Sequence, residues 1–492
     1  MNCNGILSNI FQGRGNKFAG DLLFRMIAEI ANAVFSVIIF SILARQLTKT
    51  DYAVSNQLLT FGTLLAPIIL VKINSAYCVF FPGEKNISVL KSRFYSSLIT
   101  IIPILISIIT IFIAFRNSIA LAMFGTDEYS SYMLVVSVYY VLLALVMLTQ
   151  DFFRAIGSIK VSSILISINV FLKVVIFVVL NSTQEAIFLR NVLYAYIGVE
   201  LLALILGFIL VARYFKSVPF KIEFRPLKEY YKYAIPLVPY LLFAWINTSI
   251  GKFILNHKLG LVDSAIYAFN YGMVSRVFII NTVISYTIFP YLSKFWNEDD
   301  KDKVVLYLKK AFNIGLFFGL PITFGLIAVL PTIVFILSGE TYQPNSILVL
   351  ILCFAMIFSM YYNVYAYLIS LSRKTIWYTI ILLTTSIISV LLNLILIELF
   401  GIYGAAITLM ITFIVQTLLT VLIGTKSTGL VLSIDYGFVI RTFLISLLMY
   451  VFVNQVHHNS TYINFIISIL FGIFLYLGLH FLYSKIRKKR II

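Results

Sequence analysis

Six basic side chains lie within or at the edges of long apolar stretches: Arg25, Lys72, Lys173, Lys252, Arg276 and Arg441. Ionisable groups in such surroundings are costly, so they face a cavity, a partner or a substrate. Carboxylates in comparable positions are few, namely Glu29 and Glu200, with Asp21 and Asp435 at stretch ends. The excess is therefore positive, and its chemistry is that of holding an anion. An ammonium acts as a point charge, and a guanidinium takes phosphate oxygens in bidentate fashion. Arg25, Lys72, Lys173 and Arg276 are the candidates for that task, Lys173 and Arg276 nearest mid-stretch. Lys252 also qualifies, although a lysine near an outer end can snorkel to the interface. Arg25 and Glu29 share one helix face and can pair, whereas Lys72, Lys173 and Arg276 have no acidic partner nearby in sequence. Glu200 is the main candidate for a coupling proton or cation, with Glu29 beside it as a second, because a carboxylate inside an apolar span can change protonation as its surroundings open to water. A structural pair of Glu200 with Lys173 or Arg25 is the competing reading. No catalytic constellation or metal site is expected: His257, His457 and His458 have no nucleophile or ligand set beside them, and Cys3, Cys78 and Cys353 are widely separated.

The elements that must position these groups are transmembrane helices. Of 492 residues, 61% are hydrophobic and only 11% charged, and mean hydropathy is +1.01. A soluble domain of this size needs far more charge, so apolar runs of about 20 residues read as bilayer spans. Fourteen are expected. The first six are Leu22–Leu43, Gln57–Phe80, Phe94–Phe115, Met133–Phe153, Val161–Leu180 and Val192–Val211. The next six are Ile235–Asn256, Ser264–Tyr291, Phe312–Leu337, Ser346–Ser370, Ile376–Phe400 and Ile402–Ile423, and the last two are Tyr436–Val456 and Ile463–Tyr483. The first run is too long for a signal-peptide core and is read as a retained helix. Connections are short, the longest being the Lys-, Arg- and Tyr-rich segment from Ala212 to Ala234.

Net charge is +18. With no basic domain outside the spans, nucleic-acid binding is not expected; the charge reads as loop bias instead. With the N-terminus in the cytoplasm, inner segments hold 26 Lys and Arg and outer loops five. That asymmetry places both termini inside and favours an even number of spans.

The chain also repeats itself. Shifted by 212 residues, Ile42, Leu43, Leu47, Asp51 and Ala53 fall on Ile254, Leu255, Leu259, Asp263 and Ala265. At nearly the same offset Tyr129 meets Tyr342, and Ser158 and Lys160 meet Ser372 and Lys374. Helices 1–6 thus pair with helices 7–12 as parallel repeats, a common transporter plan. The expected organisation is an N-terminal lobe over 1–215, a C-terminal lobe over 216–425, and two added helices with a basic tail over 426–492.

Several segments carry a family resemblance. Leu43-Ala44-Arg45-Gln46-Leu47-Thr48-Lys49-Thr50-Asp51-Tyr52 resembles the end of the first helix of bacterial polysaccharide exporters. Lys232-Tyr233-Ala234-Ile235-Pro236-Leu237-Val238-Pro239 resembles the start of their seventh, and Leu259-Gly260 to Ile266-Tyr267 is similar to the loop that follows it. Leu392-Asn393 with Gly401-Ile402-Tyr403-Gly404-Ala405-Ala406 resembles their eleventh-to-twelfth junction. The chain is identified on these grounds with the O-antigen and polysaccharide flippases of the multidrug/oligosaccharidyl-lipid/polysaccharide exporter superfamily, over roughly residues 17–424. It departs in the seventh helix, reading Gly251-Lys252 where many relatives carry Asp before Arg.

The resemblance implies two six-helix lobes around a cavity that opens alternately to each side. It also implies an activity: moving an undecaprenyl-pyrophosphate-linked oligosaccharide, such as an O-antigen unit for lipopolysaccharide, from the inner to the outer leaflet of the bacterial cytoplasmic membrane. The expected partners are that glycan, membrane lipids and polysaccharide polymerase machinery. No cofactor is expected, and the energy source would be a proton or sodium gradient. Two rivals remain open. A multidrug/cation antiporter of the same fold would favour an acidic cavity, and a membrane polysaccharide polymerase or ligase would carry a large outer loop, which this chain lacks.

Overall fold

The computed structural model describes residues 15–489 apart from 83, 85, 184–186, 217, 220, 279–287, 289–290, 373, 375, 431–433 and 457–460. The described residues are helical with no strand. They divide into two compact units, Met1–Leu242 and Phe243–Ile492.

The first unit contains α1 (Gly15–Gln46), α2 (Lys49–Ile69), α3 (Ile73–Phe80), α4 (Ile87–Ala114), α5 (Arg116–Phe124), α6 (Met133–Ala155), α7 (Ile159–Ser182), α8 (Leu189–Tyr214) and the short α9 (Leu227–Ala234). Helix α6 is its hub, packing against α2, α3, α4, α7 and α8. Tyr140 on α6 is fully buried, and its hydroxyl donates to the Leu58 carbonyl at 2.9 Å. Gly62 makes room for it, since a Cβ there would stand 3.1 Å from the Tyr140 ring. The amphipathic α9 packs on α3 and α4. Arg93 donates to the Tyr230 hydroxyl at 3.0 Å, and Lys91 Nζ donates to the Val218 carbonyl at 2.6 Å. The basic connecting segment is thereby fastened to this unit.

Helix α10 (Leu237–Leu259) runs into the second unit, which continues with α11 (Leu261–Val277), α12 (Lys301–Ala328), α13 (Leu330–Ser338), α14 (Ser346–Leu371), α15 (Ile376–Phe400), α16 (Ile402–Thr428), α17 (Tyr436–Val453) and α18 (Thr461–Lys489). Its central packing is α16 against α14 and α15, with α17 laid on α12. Buried amides tie the core together: Asn247 Nδ2 and Gln416 Nε2 both donate to Thr385 Oγ1, at 2.9 and 3.2 Å. That is the helix-joining role expected of polar side chains inside a bilayer.

Thirteen helices among the described residues are long and apolar enough to cross a membrane. The expected eighth span, Ser264–Tyr291, begins as the 17-residue α11 and continues into 279–287 and 289–290, outside the described residues, as does its Asn281. The same holds for His457 and His458. The repeat is visible in local structure, since Asp51 and Asp263 each sit in the first turn of the helix after a short junction. There a carboxylate favours the positive end of the helix dipole.

Two spans read as continuous are broken. The second, Gln57–Phe80, divides between α2 and α3. Pro67 cannot donate to the helix ladder, and Val71 and Lys72 then adopt left-handed φ of 47° and 57°. The ninth, Phe312–Leu337, breaks at Val329 because Pro331 opens α13, where its fixed φ and missing N–H suit a first helical turn.

Candidate functional site

In the first unit the expected charges gather at two places. The first lies where the α2–α3 break meets the last turn of α6 and the starts of α1 and α7. Asp151 on α6 is buried. Asn74 Nδ2, two residues past the break, donates to its Oδ2 at 2.6 Å, and Arg154 Nη2 is 3.0 Å from its Oδ1. Lys72 and Arg25 both lie close enough to act on Asp151 electrostatically. Arg25 also pairs with Glu29 and reaches Ser163 Oγ at 3.5 Å. The chain thus carries three cations, Arg25, Lys72 and Arg154, around one carboxylate, with Glu29 offsetting one of them. Two successive non-glycine residues in the left-handed region cost of order 1–3 kcal/mol each, a strain that lodges Lys72 at this point rather than on a helix face.

The second lies on α7 and α8. Glu200 is fully buried, and Lys173 Nζ stands 2.7 Å from its Oε1. Asn169 Nδ2 donates to Oε2 at 2.9 Å, and the Lys173 ammonium lies 5.3 Å from the Tyr196 ring centroid. Of the alternatives open in the sequence, Lys173 is therefore the partner of Glu200. Asn169 and Glu200 line a cavity of about 310 Å³ together with Thr63, Pro67 and Gln150. Gln150 immediately precedes Asp151 and Pro67 precedes the break, so one cavity borders the elements of both clusters.

In the second unit Lys252 does not snorkel. It is buried, with its ammonium 4.7 Å from the Tyr271 ring centroid, a favourable placement for a desolvated cation. Arg276, one turn further along α11, donates to the Gly272 carbonyl at 2.8 Å and is close enough to Lys252 to act on it electrostatically. Arg441 lies against the rings of Phe438 and Tyr483. Among the described residues no group of three His, Cys, Asp or Glu side chains could hold a metal ion.

Sequence reasoning missed Asp151 and Asn74 and counted Arg154 as an inner-loop charge. The signal was present: Asp151 and Arg154 stand three apart at a helix end, the spacing of a facing pair.

A family model described as polysaccharide biosynthesis protein matches residues 42–347, more than half of the chain. The chain belongs to the polysaccharide biosynthesis protein family. Comparison with curated proteins gives no significant match. Among solved structures, this polysaccharide biosynthesis protein is similar to a lipid II flippase, MurJ, in an inward closed conformation. The TM-score is 0.73 at 16% identity, over 94% of this chain and 99% of that one. It is also similar to an inward-facing multidrug resistance transporter of the MATE family, with TM-score 0.67 at 12% identity, over 83% and 98% of the two chains. A MOP superfamily transporter from Pyrococcus furiosus, described as having a binding pocket of reverse polarity, matches with TM-score 0.57 at 12% identity, over 82% and 94% of the two chains. The family member thus has the all-helical membrane fold of these transporters, and both breaks and both clusters lie on that scaffold.

Proposed function

We propose that this protein is a flippase that carries an undecaprenyl-pyrophosphate-linked oligosaccharide, an O-antigen or similar repeat unit, from the cytoplasmic to the outer leaflet of the bacterial inner membrane by alternating access. One observation carries the reading: the convergence of Arg25, Lys72, Arg154 and the Asn74 amide at the end of the first unit that charge bias assigns to the cytoplasm. A diphosphate loses most of its hydration on entering a bilayer, and fixed cations with hydrogen-bond donors offset that loss. Lys252 and Arg276 supply further positive charge within the second unit. A cationic drug would meet repulsion from the same groups, which disfavours the antiporter reading.

Glu200 is the proposed coupling group for a proton or sodium gradient. Each of its oxygens already has a donor, so an incoming cation competes with the Lys173 ammonium for the carboxylate. Glu29, held by Arg25, is the second candidate.

Complementation tests this reading. In a flippase-deficient strain making the matching glycan, the wild-type chain is expected to restore surface polysaccharide. Lys72→Met and Arg25→Met, at equal protein level on blots, are expected to restore less than about a tenth as much, since a charge-assisted hydrogen bond contributes roughly 1.5–3 kcal/mol and tenfold is 1.4. Full activity in both variants would remove these cations from the substrate path.

A further inference from the structure

Asp151 sits at the point where the donors of this unit converge. Its two oxygens are taken separately, Oδ1 by the Arg154 guanidinium at 3.0 Å and Oδ2 by the Asn74 amide at 2.6 Å. Lys72 and Arg25 add positive charge within electrostatic reach. This is the donor set of a phosphate site: a guanidinium and an amide N–H on a two-oxygen acceptor, with further positive charge nearby. The acceptor that fills it is the protein's own. Asp151 is buried, whereas the Arg154 side chain is 54% exposed, so an incoming anion can reach the guanidinium before it reaches the carboxylate.

We infer that Asp151 is a resident counter-anion, held in the phosphate-binding position of the empty transporter and displaced from Arg154 and Asn74 by the diphosphate group of an isoprenoid-linked substrate. The inference rests on the flippase reading and adds to it an exchange of anions at a named carboxylate. It has a physical purpose. An unloaded transporter that reorients with its cations uncompensated carries bare charge into a low-dielectric region, which is unfavourable. With Asp151 in place the empty cluster is offset. Once the diphosphate has taken its donors, Asp151 stands beside another anion, and their repulsion favours release on the far side. Asp151 therefore weakens binding and speeds turnover.

The consequence for substitution is opposite to that of removing a cation. Asp151→Asn keeps the shape and one accepting oxygen, enough for either Arg154 or Asn74, but removes the competing charge. The full-length protein in lipid nanodiscs would be titrated with radiolabelled farnesyl diphosphate, a soluble isoprenoid diphosphate. Asp151→Asn is expected to bind about tenfold more tightly than wild type, on the scale of close charge pairs at interfaces. The shorter Asp151→Ser is expected to move the same way, which guards against a folding defect in one variant. In Asp151→Asn with Arg154→Gln the gain is expected to vanish, which places the effect in this cluster. Equal affinity of wild type and both single variants, or weaker binding by them, overturns the counter-anion while leaving the flippase reading intact. Failure of every form, wild type included, to bind the diphosphate overturns both.

Discussion

Glu200→Leu is expected to destabilise the first unit by about 3–5 kcal/mol, the range found when one partner of a buried ion pair is removed and the other is left charged in place. The pair meets that condition: the Glu200 side chain is fully buried and that of Lys173 is 14% exposed, at 2.7 Å separation. Lys173→Met alone is expected to cost a similar amount, because it leaves a buried carboxylate with only the Asn169 amide at 2.9 Å. The double variant Lys173→Met with Glu200→Leu should recover much of the loss, since replacing both charges by apolar side chains removes the desolvation cost as well as the attraction. Heating the purified variants and following the folded fraction by size-exclusion fluorescence measures all three. Strictly additive losses in the double variant would show that the two groups stabilise the fold independently, through contacts other than their own.

The second large effect is steric. Gly404 lies in the first turn of α16, where a Cβ would come within 1.9 Å of the Leu396 carbonyl oxygen and 2.6 Å of the Ile397 nitrogen. Those are backbone atoms of α15, so no rotamer change relieves the clash and the two helices of the hairpin must separate. Overpacking in a tight core typically costs 1–3 kcal/mol and occasionally more, and Gly404→Ala is expected at or above the upper end. Gly198→Ala is the control. Nothing lies within 4 Å of a Cβ there, and alanine in a helix interior gains about 1 kcal/mol of propensity over glycine. The two variants should therefore shift thermal unfolding in opposite directions. A Gly404→Ala protein as stable as wild type would mean that α15 and α16 do not approach as closely as described.

This glycine also shows what was legible in the sequence. The motif Gly401-Ile402-Tyr403-Gly404-Ala405 stood out as a family resemblance before its physical basis was visible. That basis is a left-handed turn at Gly401, with φ of 58° and ψ of −135°, followed one turn later by the close helix approach at Gly404. The spans themselves were legible because apolar length is dictated by bilayer thickness. Their ends were less so. Helix α4, the third expected span, starts at Ile87, seven residues ahead of the apolar run at Phe94, because Asn86 caps it by accepting from Ser88 N at 3.0 Å. Charged residues such as Lys91 and Arg93 then extend the helix beyond the hydrocarbon.

The site was legible in kind but not in arrangement. An excess of intramembrane cations could be counted, and Arg25–Glu29 could be paired from helix periodicity. The choice of Lys173 over Arg25 for Glu200, and the place of Lys72 near Asp151, could not be read in this way. Glu200 is 27 residues from Lys173, and Asp151 is 79 from Lys72, distances at which no periodic pattern links two side chains. The α2–α3 break was hidden for another reason. Left-handed residues are ordinarily glycine or asparagine, and here they are Val71 and Lys72. Nothing local marked the break except Pro67, four residues upstream.

The most direct measurement is translocation in proteoliposomes. Purified protein would be reconstituted with a fluorescent undecaprenyl-diphosphate-linked glycan, and the fraction reaching the opposite leaflet followed by loss of protection from a membrane-impermeant quencher. A cationic dye would be assayed in parallel. The expected result is glycolipid movement by the wild-type chain, strongly reduced in Lys72→Met and Arg25→Met, with no protein-dependent dye transport. Dye transport without glycolipid movement, insensitive to removal of those cations, would contradict the flippase assignment and point to a drug antiporter on the same fold.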